Sequence, residues 1–136
     1  MKSLYIACMA AIVVLGACNK KESIKPKQGI SLPPVTELTL TKGSGAAIRL
    51  SWQMPSAIPA GIAQPLSVQI ELKELSGLQT YVLGTIMLPN APTSYEGAVP
   101  DAAKTYHITV KLNGQVTDPD PNYAGNIFSL GQTVIY

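Results

Sequence analysis

Two cysteines, one histidine and one short run of alternating acids stand out as chemistry-bearing residues in this 136-residue chain. His107 could act as a general base only beside a nucleophile and a carboxylate that orients it. It sits instead in Tyr106-His107-Ile108-Thr109-Val110, where alternation with apolar neighbours turns it outward from a strand as a solvated side chain. Asp118-Pro119-Asp120-Pro121-Asn122 sets oxygen donors at alternate positions, as the opening of a calcium-binding loop does. The remainder of such a loop is missing. Tyr123 stands where the sharp turn needs glycine, Ser129 stands where a bidentate glutamate is needed, and two prolines restrict wrapping of the backbone. A stiff acidic turn is the plainer reading. No paired carboxylates, nucleophile elbow, phosphate loop or metal cluster is recognisable, so neither an enzyme nor a cofactor is expected.

The thiols carry more information. Cys8 lies inside an apolar stretch, Leu4 to Ala17, that follows Lys2 and is shorter than the roughly 20 residues a helix needs to cross a bilayer core. One basic residue, an apolar run and small residues at its end form the layout of a secretory signal, to be set aside from the fold. The end of that run, Leu15-Gly16-Ala17-Cys18, resembles a bacterial lipobox. The resemblance implies cleavage after Ala17 and lipid, palmitate included, on Cys18 at the new N-terminus. Cys8 would leave with residues 1–17, so the mature chain holds no internal disulfide. With His107 as the only other soft ligand, a Cys/His zinc site is excluded as well.

Charge divides the chain at Pro34. Lys20, Lys21, Lys25 and Lys27 crowd the segment after Cys18 with only Glu22 opposing them, whereas Val35 to Tyr136 carries 5 basic and 7 acidic residues. Nucleic-acid binding would want a basic face on the folded part, which this distribution does not offer. Residues 18–34 read as a lipidated N-terminus and solvated tether beside lipid headgroups. As a flexible coil such a tether reaches about 20 to 25 Å. In proteins resembling this one the residue after the cysteine influences sorting. Asn19 is not the aspartate associated with inner-membrane retention, and a single acid follows it, so the periplasmic face of the outer membrane is expected rather than the cell surface.

Residues 35–136 fit one domain. Eleven prolines and regularly spaced glycines leave few windows for long helices. Period-two alternation runs through Leu38-Leu40, Ile48-Leu50-Trp52, Leu66-Val68-Ile70-Leu72, Tyr106-Ile108-Val110-Leu112 and Val134-Tyr136. Tyr81 to Leu88 and Thr93 to Glu96 bring the total to about seven short strands, an all-β two-sheet sandwich. Pro34-Val35-Thr36 to Leu40 with Ile48-Arg49-Leu50-Ser51-Trp52 resembles strands A and B of a fibronectin type III domain. Thr93-Ser94-Tyr95, Val99 and Thr105 to Val110 resemble its strand E, corner and strand F, and Ala124-Gly125-Asn126 with Val134-Ile135-Tyr136 its closing strand. The resemblance implies a core Trp52 and a corner Tyr106 whose hydroxyl returns to backbone. Pro100 stands six residues before Tyr106, further than the family's usual spacing, so the corner is expected to be rebuilt around Asp101-Ala102-Ala103. The chain as a whole is similar to small lipoproteins of Bacteroidetes.

Loops on a rigid sandwich are where binding usually resides. In the implied topology Met54 to Pro65 and Asn113 to Asn126 share one end. Ile58, Ile62, Asp118, Asp120 and Tyr123 are therefore the candidate interaction residues, set against the plainer reading in which the prolines stiffen the connections and the two isoleucines cap the core. The sequence points to a lipid-anchored, non-catalytic module of the cell envelope that binds another protein or serves adhesion. The alternative is a carbohydrate-binding accessory of a glycan-uptake system. With Trp52 assigned inward, only Tyr81, Tyr95 and Tyr123 remain as stacking surfaces for it.

Overall fold

The computed structural model describes residues 29–119 and 125–136. Eight strands form: β1 (Thr36–Lys42), β2 (Ala47–Gln53), β3 (Ser67–Ser76), β4 (Gln79–Leu88), β5 (Ser94–Ala98), β6 (Thr105–Gln115), β7 (Asn126–Phe128) and β8 (Gln132–Ile135). They make two antiparallel sheets, one of order β1-β2-β5 and one of order β4-β3-β6, with β7 and β8 both on the far side of β6. This is the fibronectin type III-like arrangement, an all-β sandwich.

Alternation explains the core. Ile48, Leu50 and Trp52 on β2 are buried while Ala47, Arg49, Ser51 and Gln53 between them are exposed. Val68 and Ile70 on β3, with Tyr106, Ile108, Val110 and Leu112 on β6, supply the opposing layer. Trp52 is in the core as expected, and His107 lies on the outward face of the larger sheet, half-buried, beside Lys73 and Ile135.

The corner before β6 follows from Asp101. Its carboxylate accepts the N–H of Ala103 at 2.9 Å and its carbonyl that of Lys104 at 3.2 Å, closing the turn. The Tyr106 hydroxyl, on a fully buried ring, then accepts the N–H of Asp101 at 3.1 Å. The extra residues after Pro100 are thus absorbed by the turn, and the hydroxyl bond is made.

Three boundaries differ from the sequence reading. The closing strand is split in two, because the Ser129 hydroxyl accepts the N–H of Leu112 at 2.8 Å while its own N–H reaches the Leu112 carbonyl, which interrupts the ladder between β7 and β8. β6 runs through Gln115, so the loop after it starts later than Asn113. Packing also reaches back past Pro34: Leu32 is buried over Gly114, and Ile30 lies against Gly61. Two glycines without side chains leave the room that these two apolar residues fill.

β3 and β4 are joined through Gly77-Leu78, a two-residue turn whose positive φ of 61° at Gly77 suits glycine. One extra residue, Leu83, enters β4 as a bulge, since Leu72 pairs with Gly84 and Lys73 with Val82.

Candidate interaction surface

The loop after β2 and the loop after β6 do share one end, and they are laced together. Ala63 N–H donates to Gln115 O at 2.8 Å, Thr117 N–H to Gly61 O at 3.0 Å, and Ile62 bridges Val116. The chain enters β1 at this same end, through Ile30 and Leu32. The loop residues singled out by sequence fare differently from one another. Ile62 is 4% exposed, pressed between Gly114 and the rest of the core, and so caps the core, because a loop that closes an open end of a sandwich needs an apolar plug. Ile58 is half-buried against the same cluster. Asp118 is exposed. Asp120, Tyr123 and Cys18 lie outside the described residues. Among the described residues no group of three metal-ligating side chains comes together, and no helix is long and apolar enough to cross a membrane.

Between the end of the loop after β2 and the adjoining ends of β3, β6 and β7 lies an open cavity of about 410 Å³ lined by Gln64, Ser67, Asn113, Gln115 and Asn126 with apolar and glycine neighbours. None of these side chains is charged, and the Asn113 Oδ1 is buried without a hydrogen-bond partner. Amides and a hydroxyl of this kind suit a neutral polar ligand.

The most unusual surface is elsewhere. β4 is an edge strand, paired with β3 on one side and with nothing described on the other. Tyr81, Val82, Leu83, Ile86 and Met87 are all exposed along it, and Leu78 projects fully from the turn before it. No charged residue lies between Glu74 and Glu96. Edge strands are usually blunted by charges or proline to stop them pairing with another chain, and β4 carries neither. The pairing explains how both faces are apolar. Tyr81 and Ile86 lie opposite Glu74 and Ile70 on the inward face, whereas Val82 and Met87 lie opposite Lys73 and Gln69 on the outward face. The three strands of the smaller sheet leave the inward side of β4 uncovered, as the 40% exposure of Ile86 shows.

A surface that combines a free strand edge with an apolar, uncharged flank can bind by adding a strand and by burying side chains. Sequence reading placed a strand at Tyr81 to Leu88 without marking it as a surface. The signal was present, in that Tyr81-Val82-Leu83 and Ile86-Met87-Leu88 are unbroken apolar triplets where a one-sided strand would alternate.

The fold is a fibronectin type III-like sandwich whose larger sheet ends in an exposed, apolar edge strand. Residues 18–136 match the family described as "Domain of unknown function (DUF4945)", and the chain belongs to that family. Among solved structures, the FN3 domain of human collagen XX is similar at 21% identity and a TM-score of 0.48, over 82% of this chain and 98% of that one. Curated proteins give no match.

Proposed function

We propose that the chain is a non-catalytic interaction module of the bacterial cell envelope, held by lipid on Cys18 at the periplasmic face of the outer membrane. The observation that carries the interaction reading is the exposed, charge-free edge strand β4, an apolar surface of the kind that marks protein contacts. Anchorage is supported by Leu15-Gly16-Ala17-Cys18 and by a family match that begins at Cys18. The chain enters the sandwich at the loop end, so that end faces the attachment point and β4 flanks the body of the domain. Intact-protein mass spectrometry of the membrane fraction tests the anchor. A mature N-terminus at Cys18 carrying diacylglycerol is expected, with release into the soluble fraction on Cys18→Ser. An unmodified sulfur, or an N-terminus elsewhere, overturns it. Crosslinking from intact cells, with Cys18→Ser as the unanchored control, identifies the protein partner.

The amide-lined cavity favours a second reading, a carbohydrate-binding accessory of glycan uptake. Its neutral donors and acceptors fit a polyhydroxyl ligand. A glycan array reads it directly. Binding that Asn113→Ala and Tyr123→Ala abolish supports this reading, and an array with no signal removes it.

A further inference from the structure

We infer that the partner of β4 is a second copy of this chain, joined to it edge to edge as an antiparallel pair of β4 strands. The inference rests on the interaction reading above and names its occupant.

Three features of the strand carry it. First, the edge is ten residues long, Gln79 to Leu88, with its outward backbone groups unpaired among the described residues and no charge to repel an identical strand. Like charges directly opposite one another are what most often forbids self-pairing of strands. Secondly, the faces match under a two-fold axis. The bulge at Leu83 shifts the alternation, so that Tyr81 before it and Ile86 after it both point to the inward face, and Val82 and Thr85 both point outward. An axis beside Leu83-Gly84 therefore sets Tyr81 of one copy against Ile86 of the other, and Val82 against Thr85, with like faces together throughout. The inward side chains that the smaller sheet leaves bare would thereby cover one another. A self-complementary patch of this kind is what a closed two-fold dimer requires.

Thirdly, the size suffices. A ten-residue strand is about 34 Å long, and pairing along it with both flanks buries on the order of 500 Å² per copy. The total of about 1,000 Å² reaches the lower bound for a specific interface. The larger sheets of two copies become one continuous sheet, with each β4 at its centre and no longer an edge. The axis sends the two chain starts to opposite ends of that sheet, so a pair tethered to one bilayer lies with the sheet along it.

The test uses the full chain in isolated membranes and then in detergent. Leu83→Cys places a thiol next to its symmetry mate, and Arg49→Cys, exposed on β2 of the smaller sheet, is the control. Mild oxidation is expected to give a product of twice the monomer mass with Leu83→Cys, above the background that Arg49→Cys and the wild type give. Sedimentation then reads the register. Tyr81→Lys with Ile86→Lys sets like charges opposite and is expected to weaken the dimer about tenfold or more. Tyr81→Lys with Ile86→Glu sets opposite charges there and is expected to restore it. All three positions are exposed, so the sandwich tolerates the changes. A monomer at every concentration, or equal weakening by both double variants, overturns the inference. A Leu83→Cys product of some other mass overturns self-pairing and leaves the interaction reading standing. No product above background overturns self-pairing, the interaction reading is then decided by the crosslinking from intact cells, and the lipid on Cys18 is decided separately by its mass.

Discussion

Ile70 on β3 and Ile86 on β4 face each other across the larger sheet, and Ile70 is 3% exposed while Ile86 is 40% exposed. The same residue type, one strand apart, passes from core to surface because the smaller sheet has three strands and the larger sheet outgrows it. Truncation should separate the two positions. Ile70→Ala leaves a cavity in close-packed surroundings and is expected to cost about 2–5 kcal/mol. Ile86→Ala in the dilute monomer is expected to cost under about 1 kcal/mol. Urea midpoints of the two variants check this, and equal losses would show that β4 is covered in the monomer.

The corner supplies a sharper test of a single atom. Tyr106 is fully buried and its hydroxyl accepts the Asp101 N–H, so Tyr106→Phe keeps the ring and removes the acceptor. The unsatisfied amide and the lost bond should cost about 1–2 kcal/mol. Tyr106→Ala, which also empties the ring's volume, should cost about 3–5 kcal/mol. Equilibrium denaturation of both variants measures the difference, and a Phe variant as stable as the wild type would mean the hydroxyl bond contributes nothing.

Trp52 is the only tryptophan, which makes it a reporter of the sheet-to-sheet core. At 4% exposure its native emission should lie at short wavelength and resist acrylamide, with quenching rising several-fold on unfolding. Strong quenching in the native state would place the indole on the surface instead, where it could stack on a sugar.

Burial was legible in the sequence wherever one strand had one wet face. Ile48-Arg49-Leu50-Ser51-Trp52 alternates without a break, and the structure buries and exposes those residues in turn. Tyr106 was legible as a buried corner residue through the family resemblance, whereas its hydroxyl bond was not, because the long spacing from Pro100 left open whether the turn closed by Asp101 would bring a backbone N–H to it. What could not be read locally depends on partners distant in the chain. Ile62 looks exposed in a proline-rich loop, and only the approach of Gly114 and Leu66 shows that it plugs the end of the core. The exposure of β4 likewise depends on the width of the other sheet. The split between β7 and β8 hangs on one serine hydroxyl taking a backbone position.

The plug at the loop end can be tested through Gly114. A Cβ there would stand 2.6 Å from Ile62 Cγ2 and 3.1 Å from Leu66 Cδ2, with Leu32 beyond. Gly114→Ala therefore displaces two core side chains, Ile62 and Leu66, and is expected to cost about 1–3 kcal/mol by overpacking. Gly114→Ala combined with Ile62→Ala, which removes the Cγ2 that the new Cβ meets, should cost less than the sum of the two single variants. If the double variant is less stable than the sum of the singles, the two positions do not share one volume.

Alkaline titration isolates one ion pair. Lys104 Nζ lies 2.9 Å from Glu74 Oε1, and that hydrogen bond, with the charge of Glu74, raises the lysine pKa above its ordinary value of 10.5. A raised lysine pKa means that the folded state holds its proton more tightly than the unfolded state does. The pair's contribution is therefore complete below the ordinary lysine pKa and fades as pH climbs through the higher folded value. Both side chains are at least partly in water, so the contribution at neutral pH is small. Glu74→Gln should leave the urea midpoint at pH 7 nearly unchanged and should flatten its decline above about pH 10.5. Comparing wild type and variant midpoints from pH 9 to 11.5 reads this, and parallel declines would show that Lys104 titrates independently of Glu74.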